Sequence, residues 1–201
     1  MVYRRTLAAA ARKDARRKLL LDAATSLFGS LGYHAATVPM IVAEAKSSVG
    51  SFYAHFRNKE DIFAATLETL GEKVSELMRQ AKISQPDPLL GICRAVESVF
   101  LYLAQNPREA RILIVESSGL SPRLEQVRRN LLGQHVGHVY QTLAANPADF
   151  SVVNPAIASR CLVGAVFESL CSWLEQNPIE RPPVAEVARA VADYNSRAIR
   201  G

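Results

Sequence analysis

Strand signals are nearly missing from this chain of 201 residues: alternating Val/Ile/Thr runs are few, and no Asn-Gly or Asp-Gly pair offers a hairpin turn. A β-sheet is thereby excluded as the organising element. No uninterrupted apolar run approaches the roughly 18 to 20 residues that span a bilayer, and the basic, alanine-rich N-terminus lacks the apolar stretch of a secretory signal. A cytoplasmic location with no membrane partner is expected. Cysteine is scarce and odd in number: Cys93, Cys161 and Cys171 sit far apart in apolar helical patterns, not in CxxC or Cys/His clusters. They read as buried thiols. Catalytic signatures are missing as well. Ser117 and Ser118 precede Gly119 without a GxSxG elbow. His135 and His138 have an i, i+3 spacing that permits a metal pair, but no third ligand accompanies them at helical spacing. No catalytic residue, metal or cofactor is expected, and an enzyme is a distant third reading.

What is present is a 49% apolar composition, enough for a substantial core, arranged at helical spacing throughout. Leu20, Ala23, Ala24, Leu27, Phe28 and Leu31 predict a first helix from about Ala15, with Gly32 as its stop. Thr37 caps a short second helix with Val38, Ile41 and Val42 inward, Ser48 caps a third reaching about His55, and Asn58 caps a longer fourth running to about Lys82. Asp61 suits the positive end of that fourth helix. Proline then falls at helix starts, predicting helices near 87–105, 107–117, 121–145, 154–176 and 183–199. Asn106 and Glu109 have capping-box spacing. The fold class is therefore all-α, about nine helices.

Charge is distributed unevenly. Residues 1–61 hold ten Lys/Arg against five Asp/Glu, and seven of those basic residues lie in the first twenty positions, whereas 62–201 hold fourteen of each sign. A polyanion-binding end on a neutral body has this pattern, and so does a solvated basic tail. Two short helices joined by a tight turn and braced by a third describe a helix-turn-helix unit. Phe52 and Phe56 would bury one side of the third helix, freeing the other. Gly50 removes a side chain where a groove would approach, Ser51 presents a hydroxyl, and Tyr53 and His55 extend polar tips. Lys59 adds a cation beside the backbone N–H groups of the next helix.

The run from Leu19 to Phe63, with FGSLGY, ATV, IVAEA and VGSFYAHFRNKEDIF, resembles the DNA-binding domain of the TetR family of bacterial transcriptional regulators. The resemblance implies an N-terminal DNA-binding domain, 1–61, and a larger helical effector-binding and dimerisation domain, 62–201. It also implies a homodimer on a palindromic double-stranded DNA operator, most often a repressor, released by a small-molecule effector. By the same resemblance Thr37 and Lys59 contact phosphate, Gly50, Ser51, Tyr53 and His55 contact DNA from the recognition helix that Ser48 opens, and Val49 and Ala54 meet bases. Both of the last are apolar and suit thymine methyl groups rather than bidentate hydrogen bonds. The basic arm, Arg4, Arg5 and Arg12 through Arg17, either enters the minor groove or acts as an electrostatic tail. The turn departs from the family's Ala-Gly-Val-Ser: here it is Ala45-Lys46-Ser47-Ser48. A lysine at positive φ costs roughly 1 kcal/mol, so Lys46 either changes the turn geometry or recovers that cost on a phosphate.

For the second domain, Phe100, Tyr102, Ile112, Leu113, Tyr140, Phe167 and Trp173 carry more bulk than a thin bundle needs, so a cavity is expected. Arg94, Glu116, His135 and Glu168 are polar candidates for orienting an effector, itself expected to be largely apolar. Helices 154–176 and 183–199 are expected to dimerise, through Ala158, Leu162, Ala165, Val166, Ser169, Leu170 and Ser172 on the first and Val184, Val187, Val191 and Tyr194 on the second. The alternative is a DNA-binding regulator without a ligand, whose second domain only dimerises or binds a partner protein.

Overall fold

The computed structural model describes the backbone from Val2 to Arg200 and side chains from Ala10 to Arg200. The described residues form α1 (Val2–Leu31), α2 (Val38–Glu44), α3 (Val49–Tyr53), α4 (Lys59–Ile83), α5 (Pro88–Gln105), α6 (Pro107–Ala110), α7 (Pro122–Ala145), α8 (Pro155–Glu175) and α9 (Val184–Arg200), with no strand among them. Local chemistry sets most of these boundaries. Thr37, Ser48, Asn58, Asp87, Ser121 and Asn154 each accept a backbone N–H from the first turn of the helix they open. Pro88, Pro122 and Pro155 then occupy first-turn positions where no N–H is needed. Gly32, at φ 86, ends α1.

Four details correct the sequence reading. First, α1 begins at Val2, about four turns before the expected start, because Ala8–Ala11 and the basic residues are strong helix formers with nothing to interrupt them. The side chains of Arg4 and Arg5 lie outside the described ones. Second, Leu31 is exposed rather than part of the core. Third, the expected helix 107–117 is α6 followed by a π-helical turn, Arg111–Glu116. The capping box is not made there: Asn106 gives no side-chain cap, and Glu109 instead meets Lys73 at 3.1 Å and the Tyr102 hydroxyl. Fourth, Cys161 is exposed, and Cys93 and Cys171 are half-buried rather than fully buried.

Packing builds three apolar clusters, and α4, which at 1.5 Å per residue is about 37 Å long, runs through the first two. Its first half, Ile62 to Leu70, joins Leu20, Ala24, Phe28, Ile41, Phe52 and Phe56 in the N-terminal core. Phe28 and Tyr33 stack there, and Phe63 meets both edge to face, its ring centroid 4.8 Å from each of theirs. Val74 carries α4 into the second core, with Val96, Val99, Phe100, Leu103, Leu170, Ala188 and Val191. A third cluster of Leu89, Ile92, Leu143, Phe150, Leu162 and Ile199 closes the far end.

Polar contacts tie the N-terminal unit to this body. Glu116 accepts the Tyr33 backbone N–H at 2.9 Å and the Arg111 Nε–H at 2.9 Å. Arg111 also donates to the Ser30 carbonyl at 3.2 Å. Arg123 pairs with Asp61 at 2.6 Å, and Ser121 donates to Glu60. The guanidinium and the Arg57 backbone N–H hold the Asp61 carboxyl below its usual pKa. Gly29 lets α1 approach α6 closely, since a Cβ there would stand 2.8 Å from the Arg108 backbone.

Helix α8 differs in another way: by length and composition it is apolar enough to cross a membrane, with mean hydropathy 1.3, although Arg160 and Glu168 interrupt it so that no unbroken apolar run reaches that length. Its apolar content is spread around the helix rather than concentrated in one run. One side, with Leu162, Leu170 and Trp173, is buried in its own chain, while Ile157, Cys161 and Gly164 face outward.

Candidate functional site

The five residues of α3 present two faces. Phe52 is fully buried and Phe56, one turn on, is nearly so, their rings 5.8 Å apart. Helical spacing therefore turns Val49, Gly50, Tyr53 and Ala54 outward, and all four are exposed. Tertiary burial of the two rings holds a helix that glycine and serine would weaken in isolation. A Cβ at Gly50 would meet nothing within 4 Å, so no internal neighbour requires glycine there. Any crowding that favours it comes from outside the chain.

Ser51 and Lys59 depart from expectation. Ser51 shares a flank of α3 with His55, and its hydroxyl is buried with no hydrogen-bond partner rather than presented outward. Lys59 uses its ammonium to donate to the Tyr33 and His34 carbonyls, at 2.9 and 3.2 Å, while lying 4.4 Å over the Tyr33 ring. It braces the α1–α2 loop with at least two of its three N–H groups. Thr37 and Ser48 are exposed, and each also caps its helix, at 3.4 and 3.1 Å.

Lys46 has φ 47, the one positive-φ residue other than glycine among the described residues. The turn keeps its left-handed geometry despite the lysine. It is held by bonds from Lys46 N–H to the Ala43 carbonyl and from Ser47 N–H to the Val42 carbonyl, both 3.0 Å. Lys46 lines a surface recess with Arg16, Leu19, Ala45, Ser47 and Ser48. Lys13, Arg16 and Arg17 lie near enough to His55 to depress its pKa, after the larger effect of burial, and Arg17 sits 5.5 Å over the Phe56 ring. Arg12 is exposed on the same helix. The fold thus places the basic segment of α1 beside the exposed face of α3, one positively charged surface.

A second site lies in the body. A cavity of about 390 Å³ runs between α4, α5, α7, α8 and α9. Of the nine side chains expected to hold an effector, His135 and Phe167 line it. The other seven do not. Phe100 and Ile112 are fully buried in core clusters, and Trp173 is packed under Arg181 with its indole N–H on the Pro182 carbonyl at 3.0 Å. Arg94 pairs with Glu97 at 2.8 Å, Glu116 turns to the N-terminal unit, and Tyr140 and Glu168 are exposed. Helical spacing marks which residues face inward, but the position of a void depends on how several helices are set against one another.

The lining that sequence reading missed includes Arg79, Lys82 and Thr142, with Lys82 donating to the Thr142 hydroxyl. It also includes Asn195, almost fully buried, whose Nδ2 donates to the Leu162 carbonyl at 3.3 Å while its Oδ1 has no partner. His135 Nδ1 is likewise buried and unpartnered, and burial, then the neighbouring His138, pushes its pKa below the ordinary histidine value. No group of three or more His, Cys, Asp or Glu residues suited to a metal occurs among the described residues.

Residues 20–66 match the family model "Bacterial regulatory proteins, tetR family". The transcriptional repressor NicS of Pseudomonas putida is 25% identical over 211 residues, covering 100% of both chains. The transcriptional regulator HbdR of Aromatoleum sp. is 33% identical over 106 residues, 52% of this chain and 45% of that one. Among solved structures, the transcriptional regulator FadR of Bacillus subtilis, in complex with stearoyl-CoA, superposes with a TM-score of 0.79 at 19% identity, covering 90% of this chain and 98% of that one. The helix-turn-helix with its exposed α3 face and the match over residues 20–66 lead to one assignment: this segment is a DNA-binding domain of the tetR family of bacterial regulatory proteins.

Proposed function

We propose that this regulator is a ligand-responsive repressor that binds a palindromic operator as a homodimer and leaves it when a small molecule fills the cavity. On this reading residues 1–61 read DNA. Val49, Gly50, Tyr53 and Ala54 enter the major groove, with His55 at its edge. Thr37, Ser48, Lys46 and the basic face of α1 meet phosphates. Lys59 positions the α1–α2 loop for that contact. The shared fold with a structure solved around stearoyl-CoA supports a ligand in the body. So does the name of the relative NicS, a repressor, for the sign of regulation.

The observation that carries the effector reading is the inner wall of the cavity. Leu67 lines it and is also part of the N-terminal core, and Leu113 and Leu131 likewise line it while packing on that core. Filling the cavity therefore presses on the side chains that set the position of the helix-turn-helix unit. Differential binding to the DNA-free arrangement is what a repressor requires of its effector.

Dimerisation is assigned to α8 and α9, with a change of residues. Leu162, Leu170 and Val191 are buried in their own chain, and Val166 lines the cavity, so they do not supply the contact surface. The outward faces do: Ile157, Cys161, Gly164 and Ser172 on α8, Ala190 and Tyr194 on α9. Sedimentation should give a dimer at micromolar concentration, with Ile157→Arg shifting it to monomer. Footprinting of the purified protein on genomic DNA tests the rest. A protected, twofold-symmetric site that is released by small-molecule extracts supports the reading. Protection that no extract alters supports instead a regulator whose body only dimerises.

A further inference from the structure

All the formal charge on the cavity wall is positive. Arg79, Lys82 and Arg128 line it, no Asp or Glu does, and His135 and His138 are its other ionisable side chains apart from these. Two of the cations are already matched: Arg79 by Glu76 at 2.6 Å and Arg128 by Glu125 at 2.5 Å. Lys82 is different. It is half-buried, and among the described residues its ammonium donates to the Thr142 hydroxyl and forms no ion pair. A cation held partly out of water without an opposite charge is disfavoured, and an anion arriving from solution relieves that cost.

Most of the polar groups are gathered at one end; Arg128, one turn from Leu131 on α7, lies toward the other end and is held by Glu125. Arg79 and Lys82 are one turn apart on α4. His135, His138 and Thr142 share a face of α7, where Thr142 also donates to the His138 carbonyl at 3.0 Å. At the opposite end, about 22 Å back along α4 at 1.5 Å per residue, the wall is Leu67 with Leu113 and Leu131. Asn195 adds a buried, unpartnered acceptor on the wall. The cavity is thus long and asymmetric, with the cation that lacks an ion pair at one end and, at the other, leucines beside an Arg128 already matched by Glu125, which revises the expectation of a largely apolar effector.

We propose that the effector is an amphipathic monoanion whose carboxylate, or equivalent singly charged head, sits on the Lys82 ammonium, and whose apolar body lies along α4 toward Leu67. This rests on the effector reading above and specifies its chemistry. The apolar end is the one that adjoins the N-terminal core, so the body of the ligand supplies the pressure and the head supplies selectivity.

Three probes of equal chain length separate the possibilities: decanoate, decanol and decylamine, titrated calorimetrically into the wild-type protein and into Lys82→Met. Decanoate should bind wild type at least tenfold more tightly than decanol, with decylamine weakest. Lys82→Met should lose the preference for decanoate while keeping its affinity for decanol, which also reports that the cavity is intact. Lys82→Arg should restore the preference. Decanol binding wild type as tightly as decanoate overturns the proposal, and this comparison stands whatever the variant does. Persistence of the decanoate preference in a Lys82→Met protein that still binds decanol also overturns it. Failure of all three probes to bind wild type overturns the effector reading itself, an outcome distinct from loss of charge preference alone.

Discussion

In the N-terminal unit Phe28, Phe52 and Phe63 are fully buried, while small residues, Gly50 and Ala54, occupy its outer face. The body keeps a cavity of about 390 Å³ and leaves Ile157 and Tyr194 exposed. A surface that reads DNA must hold its shape before contact, because misplacement by an ångström loses hydrogen bonds to phosphates and base edges. A unit of about sixty residues can do so only with a closed aromatic core. A site that admits a ligand and transmits its arrival needs space and packing that can rearrange. The two regions share Leu67, Leu113 and Leu131, so the rigid one feels the adaptable one through a common wall.

The sharpest break in this comparison would come from opening the rigid core. Phe28→Ala should cost about 3–5 kcal/mol of stability, read by urea denaturation, and abolish operator binding. If its loss left DNA binding intact, the closed core would not be what positions α3. Next in size is the tie between the regions. Glu116→Ala removes the acceptor for Tyr33 N–H and the partner of Arg111, and should cost about 1.5–3 kcal/mol. Effector and operator binding should then become less strongly coupled in paired titrations.

Tyr53→Ala separates the outer face from the core. Stability should change by less than about 0.5 kcal/mol, because the side chain is exposed, while operator affinity should fall tenfold or more. Equal losses in both would place Tyr53 in the core instead. Lys46→Gly should raise thermal stability by about 1 kcal/mol by relieving the positive φ. Its salt titration decides the lysine's role: a shallower slope of log affinity against log salt means a lost phosphate contact, and an unchanged slope removes that contact.

The smallest expected effect concerns the body alone. His135 has a folded-state pKa below its unfolded value, so above the unfolded value, near 6.5, it contributes no pH dependence. As pH falls below that value the unfolded chain takes up the proton first, and stability declines. His135→Gln should flatten the denaturation profile below about pH 6.5.

Most helix limits were legible because they are local: Thr37, Ser48, Asn58, Asp87, Ser121 and Asn154 each satisfy backbone groups within three residues of themselves. Where a capping residue had a distant competitor the reading failed, as at Glu109, drawn away to Lys73 and Tyr102. The outer face of α3 was legible for the same local reason, since burying Phe52 and Phe56 dictates which neighbours turn outward. Lys59 was not, because its partners, the Tyr33 and His34 carbonyls, come from the α1–α2 loop, far along the chain.

The sequence by itself determined an all-helical chain with a basic N-terminus and a short helix whose apolar side is two phenylalanines, since propensity, capping and periodicity act over a few residues. Only the tertiary structure decided that Lys46 keeps a left-handed turn, that Leu67 belongs to two neighbourhoods at once, and that an unpaired Lys82 fronts a cavity. A void and the charge on its wall arise from the relative placement of five helices, and no single helix encodes that placement.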